Sequence, residues 1–199
     1  MKNILFITLV SVLLFSCKEK ETEEPQQEPP AETTAEYNKE SVTERGMQYA
    51  QATQQLLAQN LLKAIGDEGT LHAVEFCNIE AMPLTRQMEE EHNAYIRRVS
   101  DRNRNPQNEA SEQELDYIEH FKEQVATGKS PEPIVITENG RTRFYSPILT
   151  NKMCLQCHGQ PEQMQPEVIK KLQDLYPNDK AVGYSENEVR GLWSIEFEE

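Results

Sequence analysis

Apolar positions are unevenly spread along this chain, and their spacing changes character several times. Residues 1–16, MKNILFITLVSVLLFS, form an apolar run interrupted by one lysine and too short to span a bilayer comfortably. The following stretch, KEKETEEPQQEPPAETTAE, has no leucine, valine, isoleucine or aromatic residue. ESVTERGMQYAQATQQLLAQNLLKAIGDEG is then rich in Ala, Gln, Leu and Glu and free of proline, which predicts a long helix closed by Gly66. A second helical stretch, DEGTLHAVEFCNIEA, sets Leu71, Val74 and Ile79 at roughly helical spacing, and Pro83 is expected to bend or end it. SEQELDYIEHFKEQVATG opens with Ser111 and Glu114 at capping-box spacing and closes at Gly128. Farther on, PIVITENGRTRFYSP places Asn139-Gly140 between two β-rich runs, the strongest short-range hairpin pattern. AYIRRVS and RGLWSIEFE read as further strands, and YPNDKAVGY as a loop with turn chemistry at Pro177, Asn178 and Asp179. Helices gathered beside a small antiparallel sheet predict an α+β domain.

The two N-terminal stretches set the compartment. The apolar run reads as a bacterial export signal, and LLFSC resembles the lipobox of bacterial lipoproteins, with Leu14 and Ser16 ahead of Cys17. By that resemblance Cys17 becomes the lipidated first residue of the mature chain. Residues 17–40 then form a disordered acidic tether, and residues 41–199 a single domain with enough chain for a real core. The expected location is outside the cytoplasm, lipid-anchored to a bacterial membrane at the periplasm or outer membrane. The formal net charge is −14, and losing residues 1–16, whose one charge is Lys2, makes it more negative. Such a surface repels nucleic acid, so the expected partners are a membrane, through the anchor, and a redox or signalling membrane protein.

Compartment in turn limits the cysteine chemistry. Four cysteines stand at 17, 77, 154 and 157, and with Cys17 committed to lipid the other three cannot all pair. In NKMCLQCHGQPE a disulfide between Cys154 and Cys157 would leave His158 unexplained, and a zinc site would need a second metal-binding pair that the chain lacks. C-x-x-C-H is instead the signature of covalent c-type haem attachment. Two thiols three residues apart reach the two vinyl groups of one porphyrin, and the adjacent imidazole falls on the haem normal. Cys154 and Cys157 are therefore expected to carry the thioethers of one haem c, with His158 as proximal ligand. The opposite axial position has more claimants: His72, His92, His120, several methionines, and the unpaired Cys77 among the apolar residues of AVEFCNIEA. His92 and His120 are expected to be solvated surface residues, Met153 lies too close to the attachment cysteines to reach the far face, and a buried inert core thiol is the alternative for Cys77.

The ordered set CNIEA, IRRVSDRNRNPQN, FYSPI, CLQCHGQP and YPNDKAVGY…RGLWSIEF resembles a family of small c-type haem domains once catalogued as a domain of unknown function, over about residues 45 to 197. The resemblance implies a PAS-like fold, a small antiparallel sheet flanked by helices, and a haem iron held by His158 and Cys77. The chain departs from the family in SDRNRNPQNEAS and in the bulky Trp193, where small apolar residues are usual.

Haem propionates are carboxylates that need cations, and YIRRVSDRNRNPQN concentrates Arg97, Arg98, Arg102 and Arg104 in an acidic protein. Strand alternation sends Arg97 and Arg98 to opposite faces, so only one of them is expected to meet the haem. Three classes of function are then open. A redox or small-ligand sensor follows from the PAS-like resemblance and from thiolate ligation, which lowers the potential. An anchored electron-transfer cytochrome is the alternative. A haem enzyme would need distal acid and base residues, for which no sequence feature speaks, so the chain is expected not to be an enzyme.

Overall fold

The computed structural model describes residues 32–198. The signal sequence, Cys17 and residues 17–31 of the acidic stretch lie outside these. Helix α1, Glu32–His92, starts within the stretch read as tether and absorbs both predicted N-terminal helices. Its one break is at Gly69, with φ 85° and ψ 176°, a left-handed conformation that favours glycine. The helix passes through Gly66, the expected end, and the exposed i,i+4 pair Lys63–Asp67 straddles that residue. Pro83 does not end the helix either. Near it the Ala81 carbonyl accepts from Thr85 Oγ1 at 2.8 Å and from Arg98 Nη2 at 3.3 Å, so side chains brace the turn whose ladder the proline weakens.

Four antiparallel strands follow the order β1-β4-β3-β2: β1 is Ala94–Val99, β2 Ile134–Glu138, β3 Arg141–Leu149 and β4 Val189–Phe197. The β2–β3 turn has Asn139 at φ 53° and Gly140 at φ 75°, the paired positive φ values of a hairpin turn that twists with its strands. One sheet face buries Ala94, Ile96, Phe144, Trp193, Ile195 and Phe197 against Val42, Ala50 and Met88 of α1. The other buries Val99, Tyr145, Val189 and Leu192 against Ile118 and Phe121 of α2, Glu112–Ala126. In α2 the Ser111 side chain accepts from the Glu114 N–H while the Glu114 carboxylate accepts from the Ser111 N–H, the predicted reciprocal cap.

The half of α1 after Gly69, which lends Met88 to the sheet core, has a further partner. Val74 packs with Met164, Val168 and Leu172 around helix α4, Pro166–Leu175. This helix adds to the elements read from sequence. Its signal was present: proline in the first turn and Val168 and Leu172 four residues apart. A single-turn helix α3, Leu155–His158, comes after β3 and before α4 in the chain.

Candidate functional site

A cavity of about 300 Å³ opens between α1, the α1-facing side of the sheet and the segment that carries α3. Its apolar wall includes Leu57, Leu61, Val74, Phe76 and Trp193, and Cys77, Cys154, Cys157 and His158 all line it.

One helical turn explains how three of these side chains share the cavity. Asn151 starts the turn: its backbone carbonyl accepts from the Cys154 N–H at 2.9 Å, and its side chain accepts from the Met153 N–H at 2.9 Å. The His158 N–H donates to the Cys154 carbonyl at 2.9 Å, closing an i,i+4 turn that aligns residues 154, 157 and 158 along one face. The loop from Tyr176 to Tyr184 holds this turn from outside. Tyr184 N–H donates to His158 O at 2.9 Å, Gly183 N–H to Gly159 O at 2.8 Å, and His158 Nδ1 lies 2.7 Å from Ala181 O. A carbonyl only accepts, so Nδ1 carries the hydrogen and Nε2 keeps its lone pair. Burial first, then the charges of Arg104 and Arg190, hold the His158 pKa well below its usual value, so the ring is neutral. A neutral imidazole with a fixed tautomer is a ready metal ligand.

Cys77 reaches the cavity from the half of α1 that follows Gly69. Thr70 Oγ1 donates to Gln156 Oε1 at 2.7 Å, and the Lys171–Glu75 pair ties the same half to α4. Burial raises the Cys77 thiol pKa, while Arg98 and Arg104 oppose it by favouring the thiolate. Burial likewise pushes Cys157 up to about 11. These two thiols and Cys154 are free. Among the described residues no three or more His, Cys, Asp or Glu side chains are gathered closely enough for one metal ion. Sulfur and nitrogen donors spread around one apolar chamber suit an extended flat group with a central metal better than a bare zinc ion.

The arginines are distributed differently from the sequence expectation. Arg98 lines the cavity. Arg97 does not, because alternation turns it to the α2 side, where it meets Glu114 Oε1 at 3.4 Å and the Glu109 carbonyl at 3.3 Å. Arg102 is also outside the cavity wall: its Nε donates to Lys180 O at 3.2 Å and its guanidinium lies 4.2 Å from the Tyr184 ring centroid. Arg104 lines the cavity but is engaged by Asp179 at 2.9 Å and by the Cys157 carbonyl at 2.6 Å. The sequence reading missed Arg190, which also lines it. No local signal marked this residue, since strand pairing alone brings it beside the distant arginine cluster.

The other axial claimants separate as clearly. His72 stands half-exposed beside Glu68 at 3.7 Å and does not line the cavity. His120 is exposed, as expected. His92 is not the solvated residue expected: its ring stacks on Tyr49 with centroids 4.1 Å apart, and its Nε2 is buried without a partner. Of the methionines, Met82 and Met153 line the cavity, whereas Met88 and Met164 are core residues.

Comparison with known proteins agrees with this architecture. A family model described as Tll0287-like matches residues 25–197. The crystal structure of the cyanobacterial haem protein Tll0287 is similar in fold, with a TM-score of 0.58 and 16% sequence identity over 84% of this chain and 95% of that chain. Among curated proteins none matches significantly.

Proposed function

Because the chain belongs to the Tll0287-like family, we propose that it is a monohaem c-type cytochrome that works outside the cytoplasm as a redox or small-ligand sensor, anchored by a lipid on Cys17. One observation carries the reading: two thiols and a neutral, tautomer-fixed imidazole at C-x-x-C-H spacing face one apolar cavity that Cys77 enters from another element. The haem nature of the similar solved structure supports it. Cys154 and Cys157 would hold the porphyrin covalently, and His158 Nε2 and the Cys77 sulfur would ligate its iron. When bound, the group supplies a one-electron ferric/ferrous couple.

The chain's own residues prepare the site. The Ala181 carbonyl orients His158, the apolar wall limits water, and Arg98 and Arg104 favour the anionic form of Cys77. Cys77 also sits on the half of α1 bound to α3 and α4 through Thr70–Gln156 and Glu75–Lys171, so a shift of Cys77 would be passed to these elements. That linkage favours a sensor over a simple carrier.

The test is attachment. Produced with export and haem-maturation machinery, the full chain should give a haem-stained band on denaturing electrophoresis, and the Cys154→Ala/Cys157→Ala double variant should lose it entirely, since only thioethers survive unfolding. A wild-type chain without covalent haem, or staining that persists in the double variant, overturns the proposal.

A further inference from the structure

The sheet wall of the cavity carries hydrogen-bond donors that the protein serves only in part. Arg98 on β1 is directly opposite Trp193 on β4, so both point to the α1-facing side, and Arg190 is the second residue of the same β4 strand. All three line the cavity. Arg98 spends one nitrogen on two long contacts, the Ala81 carbonyl at 3.3 Å and Thr85 Oγ1 at 3.5 Å. Arg190 uses Nη1 on Ser100 Oγ at 2.8 Å and the Arg102 carbonyl at 3.1 Å, which leaves its Nε buried without a partner. Trp193 is 3% exposed, and its indole Nε1 is also buried without a partner.

Guanidinium and indole groups donate and cannot accept. Among the described residues no carboxylate forms an ion pair with Arg98 or Arg190, although Arg104, the third cation of the cavity, has Asp179. The protein carries 34 Asp and Glu against 20 Lys and Arg, so the want of a counter-ion here is local and not a matter of composition. Two largely buried positive charges and a free indole N–H match an anion with several acceptor oxygens in a plane, for which arginine forks are built.

We propose that Arg98, Arg190 and Trp193 form a carboxylate clamp that receives the propionate groups of the porphyrin and orients it in the cavity. The assignment rests on the haem reading above and adds to it a recognition element separate from the thioethers and axial ligands. It replaces Arg97 and Arg102, and it gives Trp193 a polar role as well as an apolar one.

The experiment separates porphyrin binding from carboxylate recognition. The full chain with Cys154→Ala/Cys157→Ala, which can form no thioethers, is titrated by absorbance with haemin and with haemin dimethyl ester in dilute detergent. The two probes share iron and macrocycle and differ in the carboxylates. Haemin should bind tighter by about ten-fold or more, the order expected for charge-assisted hydrogen bonds. Adding Arg190→Leu or Arg98→Leu should shrink that ratio toward one, Trp193→Phe should narrow it partly, and exposed Arg141→Leu should leave it unchanged. Arg190→Lys, which keeps a charge and loses the fork, should lie between. Equal affinity for the two probes in the parent chain overturns the clamp and leaves the haem reading standing. Binding of neither probe overturns the clamp, and the haem reading falls with it if the wild-type chain also gains no covalent haem.

Discussion

At His158 a single hydrogen bond decides which nitrogen is available, because Ala181 O lies 2.7 Å from Nδ1 and leaves Nε2 its lone pair. Cys77 is the complementary case: burial opposes its thiolate and two arginines favour it, so a nearby positive centre tips the balance toward the anion. Thiolate ligation stabilises ferric iron, and its loss should be visible in the holoprotein. Cys77→Ser keeps the side chain small and removes the soft anionic donor. Covalent haem should be retained, the midpoint potential should rise by on the order of 100 mV, and the ferric form should accept an added ligand such as cyanide that the wild type resists. Redox titration and ferric absorption spectra check this. An unchanged ferric spectrum would make Cys77 a core residue, and with His72 outside the cavity, Met82 would be the next candidate.

Helix α1 shows at the scale of an element how packing overrides propensity. At Gly46 a Cβ would stand 2.3, 2.4 and 2.7 Å from ring atoms of Phe144, a residue with no exposed surface. Alanine in a helix is worth about 1 kcal/mol over glycine, while overpacking a well-filled core costs about 1–3 kcal/mol. Gly46→Ala should therefore destabilise the protein, by up to about 2 kcal/mol net. Gly66 lies in the same helix with nothing within 4 Å of the corresponding position. There propensity acts alone, and Gly66→Ala should stabilise by about 0.5–1 kcal/mol. Urea midpoints of the two variants should move in opposite directions. Matching shifts would mean that α1 does not bear on Phe144 as described. The contrast also explains the misplaced helix end: Gly66 and Gly69 look equivalent as isolated glycines, yet only Gly69 takes a positive φ.

Over the whole molecule, the cavity joins parts of the chain that lie far apart, from Leu57 to Trp193. The half of α1 before Gly69 covers the sheet, and the half after it returns to the sheet at Met88 but also packs on α3 and α4, so Cys77 and the C-x-x-C-H turn are held together. Location is a property of the same scale: a chain with a net charge of −14 has little attraction for anionic headgroups, so the proposed membrane association would rest on the lipid at Cys17. No described helix is long and apolar enough to cross a membrane. Cys17→Ser should therefore move most of the protein out of the washed membrane fraction, provided that export continues. Immunoblots of fractionated cells check this, and retention at the wild-type level would rule out the lipid as the anchor.

Features set by neighbouring residues are legible in the amino-acid sequence alone. The Ser111–Glu114 cap, the Asn139-Gly140 turn and the C-x-x-C-H spacing each depend on contacts within about one turn or hairpin, where backbone geometry leaves few alternatives. Strand alternation likewise separates Arg97 from Arg98 whatever lies on either face. The rest depends on register between distant strands. Pairing of β1 with β4 sets Trp193 opposite Arg98 and brings Arg190 alongside, whereas clustering in sequence points to Arg102 and Arg104, whose needs Tyr184, Asp179 and backbone carbonyls meet. His92 follows the same logic: among glutamates it reads as solvated, but the fold places Tyr49 against its ring. Local sequence determined which groups the chain possesses and the turns that display them. Tertiary structure decided which of those groups are left without partners, because satisfying a charge or a donor depends on chain segments that only long-range packing brings together.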